Sequence, residues 1–297
     1  MSILPELQWR GLIADTNLAS ATPATVYAGF DPTAESLHVG HLMALTMLRR
    51  FQQAGWRAIA VIGGATGMVG DPSGKNEERN LLDLDTLRKN VTSIKTQIEQ
   101  LLNIEIANNY EWMRDFHYLD FLRDVGKHFP VNVMLTKDSV QNRMESGLSY
   151  TEFSYMLIQA YDFVYLNHWH NCTLQIGGSD QWGNITAGID LARRMEGAQV
   201  YGLTCPLLTK NDGAKMGKTE SGTAWLSAKK TSPYDFYQFW LNSADADVGR
   251  FLKYLTNLTQ SEIESVMVEH SSNPSRRIAQ RRLADTLTQF VHGSESC

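Results

Sequence analysis

The chain has 297 residues, 43% apolar and 20% charged, ordinary values for a globular protein. That length buries roughly three-quarters of the unfolded surface, enough for one large domain or two smaller ones. A net charge of −5 argues against indiscriminate nucleic-acid binding, and no apolar run approaches the ~20 residues that span a bilayer. The three cysteines, Cys172, Cys205 and Cys297, lack metal-type spacing and cannot all pair. Residues 1–10 lack the basic-then-apolar layout of a secretion signal, so the expectation is a cytoplasm-like compartment, reduced thiols and no membrane.

In chain order, residues 25–30 read as a strand leading into His38-Val39-Gly40-His41. A helical pattern follows, with Leu42, Leu45, Leu48 and Phe51 on one face and Gly55 at its stop. Two histidines three apart in a first helical turn project from the same side, and Gly40 removes a side chain that would block approach to the backbone. A helix N-terminus offers unpaired N–H groups, so phosphate is the natural guest; two solvated histidines fit the tetrapeptide equally well. Residues 58–62 are continuously apolar, as in a strand covered on both faces, and run into the glycine-rich stretch 63–71. Its spacing, Gly64, Gly67 and Gly70, is not the dinucleotide pattern. Gly70 to Lys75 is one residue short of a P-loop, and Asn76 replaces the magnesium-binding hydroxyl, so a kinase or GTPase reading fails.

Residues 81–102 read as a surface helix, and 110–161 as strongly helical, a buried hairpin on its residues alone. Residues 173–176 give another strand, then Gly177-Gly178-Ser179-Asp180 and a helix to about 195; 200–208 give a further strand. The polar loop 209–222 carries Lys215-Met216-Gly217-Lys218-Thr219, where two lysines either neutralise a polyphosphate or stand solvated. From 234 to 291 only helical patterns remain. There Arg276, Arg277, Arg281 and Arg282 share one side of a helix starting near Pro274, a solvated face or an RNA-backbone contact. Strands alternating with helices predict a doubly wound parallel α/β sheet, Rossmann-like, over 1–226, with a helical insertion at about 110–161. A small all-α domain takes 227–297. Ligands on such sheets bind beyond the carboxyl ends of the strands, where the glycine turns fall.

Several motifs together resemble the class I aminoacyl-tRNA synthetases, and within them the bacterial-type or organellar tyrosyl-tRNA synthetase family. They are Tyr27-Ala28-Gly29-Phe30-Asp31-Pro32-Thr33, the histidine tetrapeptide, the run 64–75, Gly177-Gly178-Ser179-Asp180-Gln181-Trp182-Gly183-Asn184 and the lysine loop. The resemblance spans nearly the whole chain. It implies a ligase that activates L-tyrosine with ATP and Mg2+ to tyrosyl-adenylate, then passes the tyrosyl group to tRNA(Tyr). It also implies a cytoplasmic or organellar-matrix homodimer held through the insertion, no protein-bound metal, and an anticodon-binding type of helical domain.

By the same resemblance, Thr33, His38, His41, Lys215, Lys218 and Thr219 act on the phosphates. Asp31, Gly40, Lys75, Arg79, Gly178 and Asp180, with Lys218, line the ATP side. Tyr27 and Asp162 hold the phenolic hydroxyl, Asp71, Tyr155 and Gln159 the ammonium group, and Gln175 and Gln181 face the amino acid and its carboxylate. Tyr155, Gln159 and Asp162 form one helical stripe, although by themselves Tyr155 fits a core position and Asp162 a cap. Two departures stand out. Ala28 occupies a position where relatives can carry a polar ribose contact, a loss of about 1 kcal/mol. The chain stops at Cys297, where bacterial relatives continue into an RNA-binding module, so the expectation is sound adenylate formation and impaired tRNA charging. The competing readings are a tryptophan-specific or nucleotidyltransferase relative, disfavoured by Tyr27 and Asp162, and an inactive RNA-binding derivative. Intact His38, His41, Lys215 and Lys218 disfavour the latter.

Overall fold

Runs of apolar residues with no polar face can only be strands if helices cover both sides of their sheet. Six strands satisfy this to different degrees: β1 (Asp15–Thr16), β2 (Thr25–Phe30), β3 (Arg57–Ile62), β4 (Glu105–Asn108), β5 (Cys172–Gly178) and β6 (Tyr201–Cys205). In space their order is β1-β6-β5-β2-β3-β4, parallel throughout except for β1 against β6. The sheet therefore winds outward in both directions from the β5/β2 pair, and the crevice between its halves opens there. The computed structural model describes residues 2–73, 81–144, 147–211, 213, 216, 218–219 and 222–294; of residues 138, 218, 219 and 222 only the backbone is described.

β2 and β3 run in register from Thr25↔Arg57 to Phe30↔Ile62, and most of their side chains are buried. The edge strands β1 and β4 carry little apolar signal and were not expected from the sequence. The strand expected at 200–208 is shorter, Tyr201–Cys205. Helix Leu42–Gln53 covers one face of the sheet, and helix Tyr150–His170 packs with helix Trp182–Glu196 on the other. The helical stretch expected at 110–161 divides into short helices and then this long one, which continues past Tyr161 to His170 and leads directly into β5. In the lysine loop, the Lys218–Thr219 backbone pairs antiparallel with Gly222–Thr223.

Helices Pro233–Leu241, Asp245–Leu255, Gln260–Ser272 and Ile278–His292 form the C-terminal part. Thr259 and Glu262 cap Gln260–Ser272 reciprocally, and Ser232 caps Pro233–Leu241. The helix expected to start near Pro274 instead begins at Ile278, because Arg277 takes a left-handed conformation (φ 52) after a 3-10 turn. Arg276 and Arg277 thus precede the helix and do not share the face of Arg281 and Arg282. Ala279, Leu283 and Leu287 on that helix join Phe236, Trp240 and Phe251 in one apolar core with Leu42, Leu45 and Leu48. Among the described residues, no helix is long and apolar enough to cross a membrane.

Candidate active site

The loops at the carboxyl ends of β2, β3, β5 and β6 surround one cavity of about 350 Å³. One group of sequence-selected residues along it is Tyr27, Asp71, Tyr155, Gln159, Asp162, Gln175 and Gln181; a second is Asp31, Thr33, His38, Gly40, His41, Gly178 and Asp180. Lys75, Arg79 and Lys215 lie outside the described residues, as do the side chains of Lys218 and Thr219.

Tyr27 sits inside β2 with its ring edge-on to Phe163 at 5.3 Å, and its buried hydroxyl has no protein partner. Burial, and then the nearby charge of Asp162, push this phenol well above its ordinary pKa, so it stays a neutral donor. Asp162 comes from helix Tyr150–His170. Its Oδ1 accepts from Trp112 Nε1 at 2.9 Å and its Oδ2 from Asn109 Nδ2 at 3.1 Å. Burial outweighs these two donors and raises the carboxyl to about 7. The Oε1 atoms of Gln159 and Gln175 are also buried without a partner. An orphaned buried polar atom costs about 1–3 kcal/mol. Three residues with such atoms line one cavity, which therefore suits a ligand carrying hydroxyl, ammonium or carboxylate groups.

Two more carboxylates are tied into the walls. Tyr155 donates to Asp31 Oδ2 at 2.9 Å, and Thr66 donates to Asp31 Oδ1 at 2.7 Å. Because its O–H is spent on Asp31, Tyr155 keeps its oxygen lone pairs as acceptors for an N–H donor. Asp71 accepts from the Ser73 backbone N–H at 2.9 Å and from Gln181 Nε2 at 2.8 Å. Gln181 Oε1 accepts from Asn184 at 3.1 Å and from Gln159 at 3.4 Å, so this amide is engaged with its own wall. A methyl group on Gly63 would run into Asp31 Oδ1 and Thr66 Oγ1, which explains why the turn after β3 starts with glycine.

The histidine tip differs in detail from the sequence expectation. Val39–His41 is a 3-10 turn ahead of helix Leu42–Gln53, and its N–H groups are already used. The Gly40 N–H donates to His38 Nδ1, and the His38 N–H donates to His41 Nδ1, both at 3.1 Å. The backbone thus presents imidazoles, not bare N–H groups, to the cavity. Each Nδ1 that accepts fixes the ring proton on Nε2. Burial, then repulsion from His38, lower His41 to about 3, so it is a neutral donor at physiological pH. The two rings lie 4.1 Å apart. Gly40 also has a role within the turn: a Cβ there would sit 2.8 Å from His38 Cε1, so its absence lets the ring fold over the turn. Met216, from the loop after β6, lines the same cavity and is buried.

Asn109, Trp112, Thr66 and Ser73 escaped the sequence reading. Asn109 joins three elements: it donates to Asp162 and to Thr66 Oγ1, and it accepts from the Ala65 backbone N–H at 2.7 Å. Nothing in the sequence marks it, because β4, the strand that delivers it, is too short and polar to be recognised. Among the described residues, no group of three or more His, Cys, Asp or Glu could hold a metal ion.

The chain is similar to several known proteins. The family model described as tRNA synthetases class I (W and Y) matches residues 19–296. The tyrosine–tRNA ligase of Rhodopirellula baltica is 57% identical, over 98% of this chain and 70% of that protein. That of Geobacillus stearothermophilus is 53% identical, over 100% of this chain and 74% of its own length. The crystal structure of a C-terminally truncated mitochondrial tyrosyl-tRNA synthetase from Aspergillus nidulans superposes with a TM-score of 0.90 at 32% identity, covering 99% of this chain and 91% of that one.

Proposed function

The chain belongs to the tyrosine–tRNA ligase family of class I synthetases, and we infer that its cavity joins L-tyrosine to ATP and then to tRNA(Tyr). The observation that carries the reading is the buried pair of Tyr27 and Asp162, a neutral donor and a carboxylate acceptor lining one cavity with the imidazoles of His38 and His41. A phenolic hydroxyl completes the first pair by donating to Asp162 and accepting from Tyr27. Phenylalanine leaves the buried Tyr27 hydroxyl without a partner and gives Asp162 no donor beyond Trp112 and Asn109, and that cost is the basis of selection.

The ammonium group of tyrosine is received by Asp71, Tyr155 and Gln159, and Gln175 faces the amino acid. Its carboxylate attacks the α-phosphorus of ATP and pyrophosphate leaves. The substrate is itself the nucleophile, so the protein supplies alignment and donors for the phosphoryl oxygens. Thr33, His38 and His41 are the donors among described side chains. Lys215, Lys218, Thr219, Lys75 and Arg79 are proposed to add to them. Gly178 and Asp180 lie against the ribose, with Asp31 and Gly40 also on the nucleotide side. Magnesium would enter as part of the ATP substrate, carried by its phosphates.

The resemblance further supports a homodimer through residues 110–161, whose surface exposes Leu119, Val131 and Val133. A cytoplasm or organellar matrix fits the free thiols of Cys172 and Cys205. Exchange of labelled pyrophosphate into ATP tests the reading. Tyrosine is expected to support exchange, with tryptophan and phenylalanine near background; equal exchange with all three would overturn it.

A further inference from the structure

We propose that Trp225 is a positioning residue for His38, so that the segment leaving the lysine loop fixes the imidazole that addresses the phosphates; this rests on the ligase reading above. The backbone supplies the first half of the argument. After Gly222–Thr223 the chain runs antiparallel past the histidine tip. The Val39 N–H donates to Ala224 O at 3.0 Å, the Leu226 N–H donates to Leu37 O at 2.8 Å, and His38 and Trp225 form a bridge pair between them. The tip and the end of the loop are therefore one short ladder, and a shift of either is felt by the other.

The side chains supply the second half. The indole of Trp225 meets the His38 ring edge-on, with centroids 6.1 Å apart and planes at 70°. That is a preferred arrangement for two aromatic rings. On the indole rests Lys230 Nζ, 4.9 Å from the ring centroid, and that ammonium is itself paired with Glu35 at 2.8 Å. The Trp225 backbone N–H donates to Thr231 Oγ1 at 2.9 Å, which fixes the start of the turn that brings Lys230 back. His38 is thus held by His41 at 4.1 Å, by the Gly40 N–H on Nδ1, and by the indole. The N–H bond fixes which nitrogen carries the proton, and the rings fix where that nitrogen points. Without the indole the imidazole keeps its place in the chain but gains freedom to turn, and orientation is what a donor to a transferring phosphoryl group must have before the reaction.

The test uses the full chain and three variants, Trp225→Leu, Trp225→Phe and Lys230→Gln. Rapid-quench measurement of tyrosyl-adenylate formation at saturating substrates is paired with tyrosine binding and with the imidazole nitrogen NMR spectrum. For Trp225→Leu the adenylate rate is expected to fall about 10- to 100-fold while the tyrosine Kd stays within about twofold. The His38 signals should keep the Nε2–H tautomer that the Gly40 N–H sets but broaden as the freed ring turns. Trp225→Phe, which keeps an aromatic edge, should recover most of the rate. Lys230→Gln, at the surface, should give a smaller fall of the same kind and keeps the question answerable if the leucine variant does not fold. A wild-type rate and unchanged His38 line widths in folded Trp225→Leu overturn the proposal. So does an unchanged rate in Lys230→Gln, or a parallel loss of tyrosine affinity, which marks a general structural role. Wild-type chain that fails to exchange pyrophosphate with tyrosine overturns the ligase reading instead, and this proposal with it.

Discussion

Asp162 is a carboxylate removed from water, and two N–H donors are not enough to keep its pKa in the ordinary range; it rises to about 7. The ionised form is the one that accepts a phenolic O–H, so tyrosine binding and deprotonation of Asp162 favour each other. The ligand-free protein holds a proton there below about 7 and releases it on binding. Tyrosine affinity is therefore expected to rise about tenfold from pH 6 to pH 8 and then level off. Calorimetry in two buffers of different ionisation enthalpy should detect close to one proton released per tyrosine at pH 6. Asp162→Asn should abolish both effects, and affinity falling with pH would refute the assignment. His41 predicts the opposite kind of profile. With a pKa near 3 it does not titrate between pH 5 and pH 8, so it gives the activation rate no pH dependence there. Its Nε2–H acts as a fixed neutral donor. His41→Ala is expected to slow adenylate formation about 100-fold, as removal of one preorganised donor does, with tyrosine affinity nearly unchanged. Stopped-flow activation beside equilibrium titration separates the two quantities.

Helix Tyr150–His170 carries Tyr155, Gln159 and Asp162 on one stripe, so its axial position sets the geometry of the amino-acid subsite. Its first turn is held from two directions: Ser149 accepts from the Glu152 N–H at 3.2 Å, and the Glu152 carboxylate pairs with Arg143 at 2.9 Å, each side chain only 1% exposed. Arg143→Met would take the ion pair away from that buried carboxylate, a loss of about 3–5 kcal/mol. Arg143→Met with Glu152→Leu should regain most of it, because an apolar pair of similar volume avoids the desolvation cost of two charges. Urea unfolding of both variants checks the difference, and tyrosine titration of the single variant should report weaker binding as the first turn relaxes. The stripe itself was legible in the sequence, because positions i, i+4 and i+7 of a helix share a face whatever surrounds them. So were β2, β3 and β5, whose apolar runs have no other stable use than strands covered on both sides. The partners of Asp162 were not. Asn109 and Trp112 reach it from the end of an edge strand that lacks apolar patterning, and only the tertiary fold brings them within hydrogen-bond distance. The N–H groups around the histidine turn were misjudged for a related reason: those of His38 and Gly40 go to histidine ring nitrogens, and that of Val39 goes to the distant Ala224 carbonyl.

Across the molecule, the end of strand signals near residue 226 marks a change of architecture, yet the packing runs through it. Arg10 and Arg50, from the N-terminal helices Leu4–Arg10 and Leu42–Gln53, reach the carbonyl groups at the end of helix Asp245–Leu255. Arg10 donates to Lys253 O at 2.9 Å and to Leu258 O at 2.7 Å; Arg50 donates to Tyr254 O at 3.1 Å and to Thr256 O at 2.6 Å. A helix C-terminus carries partial negative charge and unpaired carbonyls, so two nearly buried guanidinium groups satisfy both at once. Around them Leu7, Leu42 and Leu45 share one core with Phe251, Leu255 and Leu283. The α/β part and the helical part therefore stabilise each other and should unfold together. Arg50→Met strips charge-assisted bonds from the buried Thr256 carbonyl and the part-buried Tyr254 carbonyl, worth about 1.5–3 kcal/mol for each bond lost. The variant is expected to unfold at clearly lower urea concentration than the parent, with far-UV circular dichroism and tryptophan fluorescence still tracing one transition. Two separated transitions, in either protein, would mean that the helical part stands without the arginine clamp and that the shared core does not bind the halves into one cooperative unit.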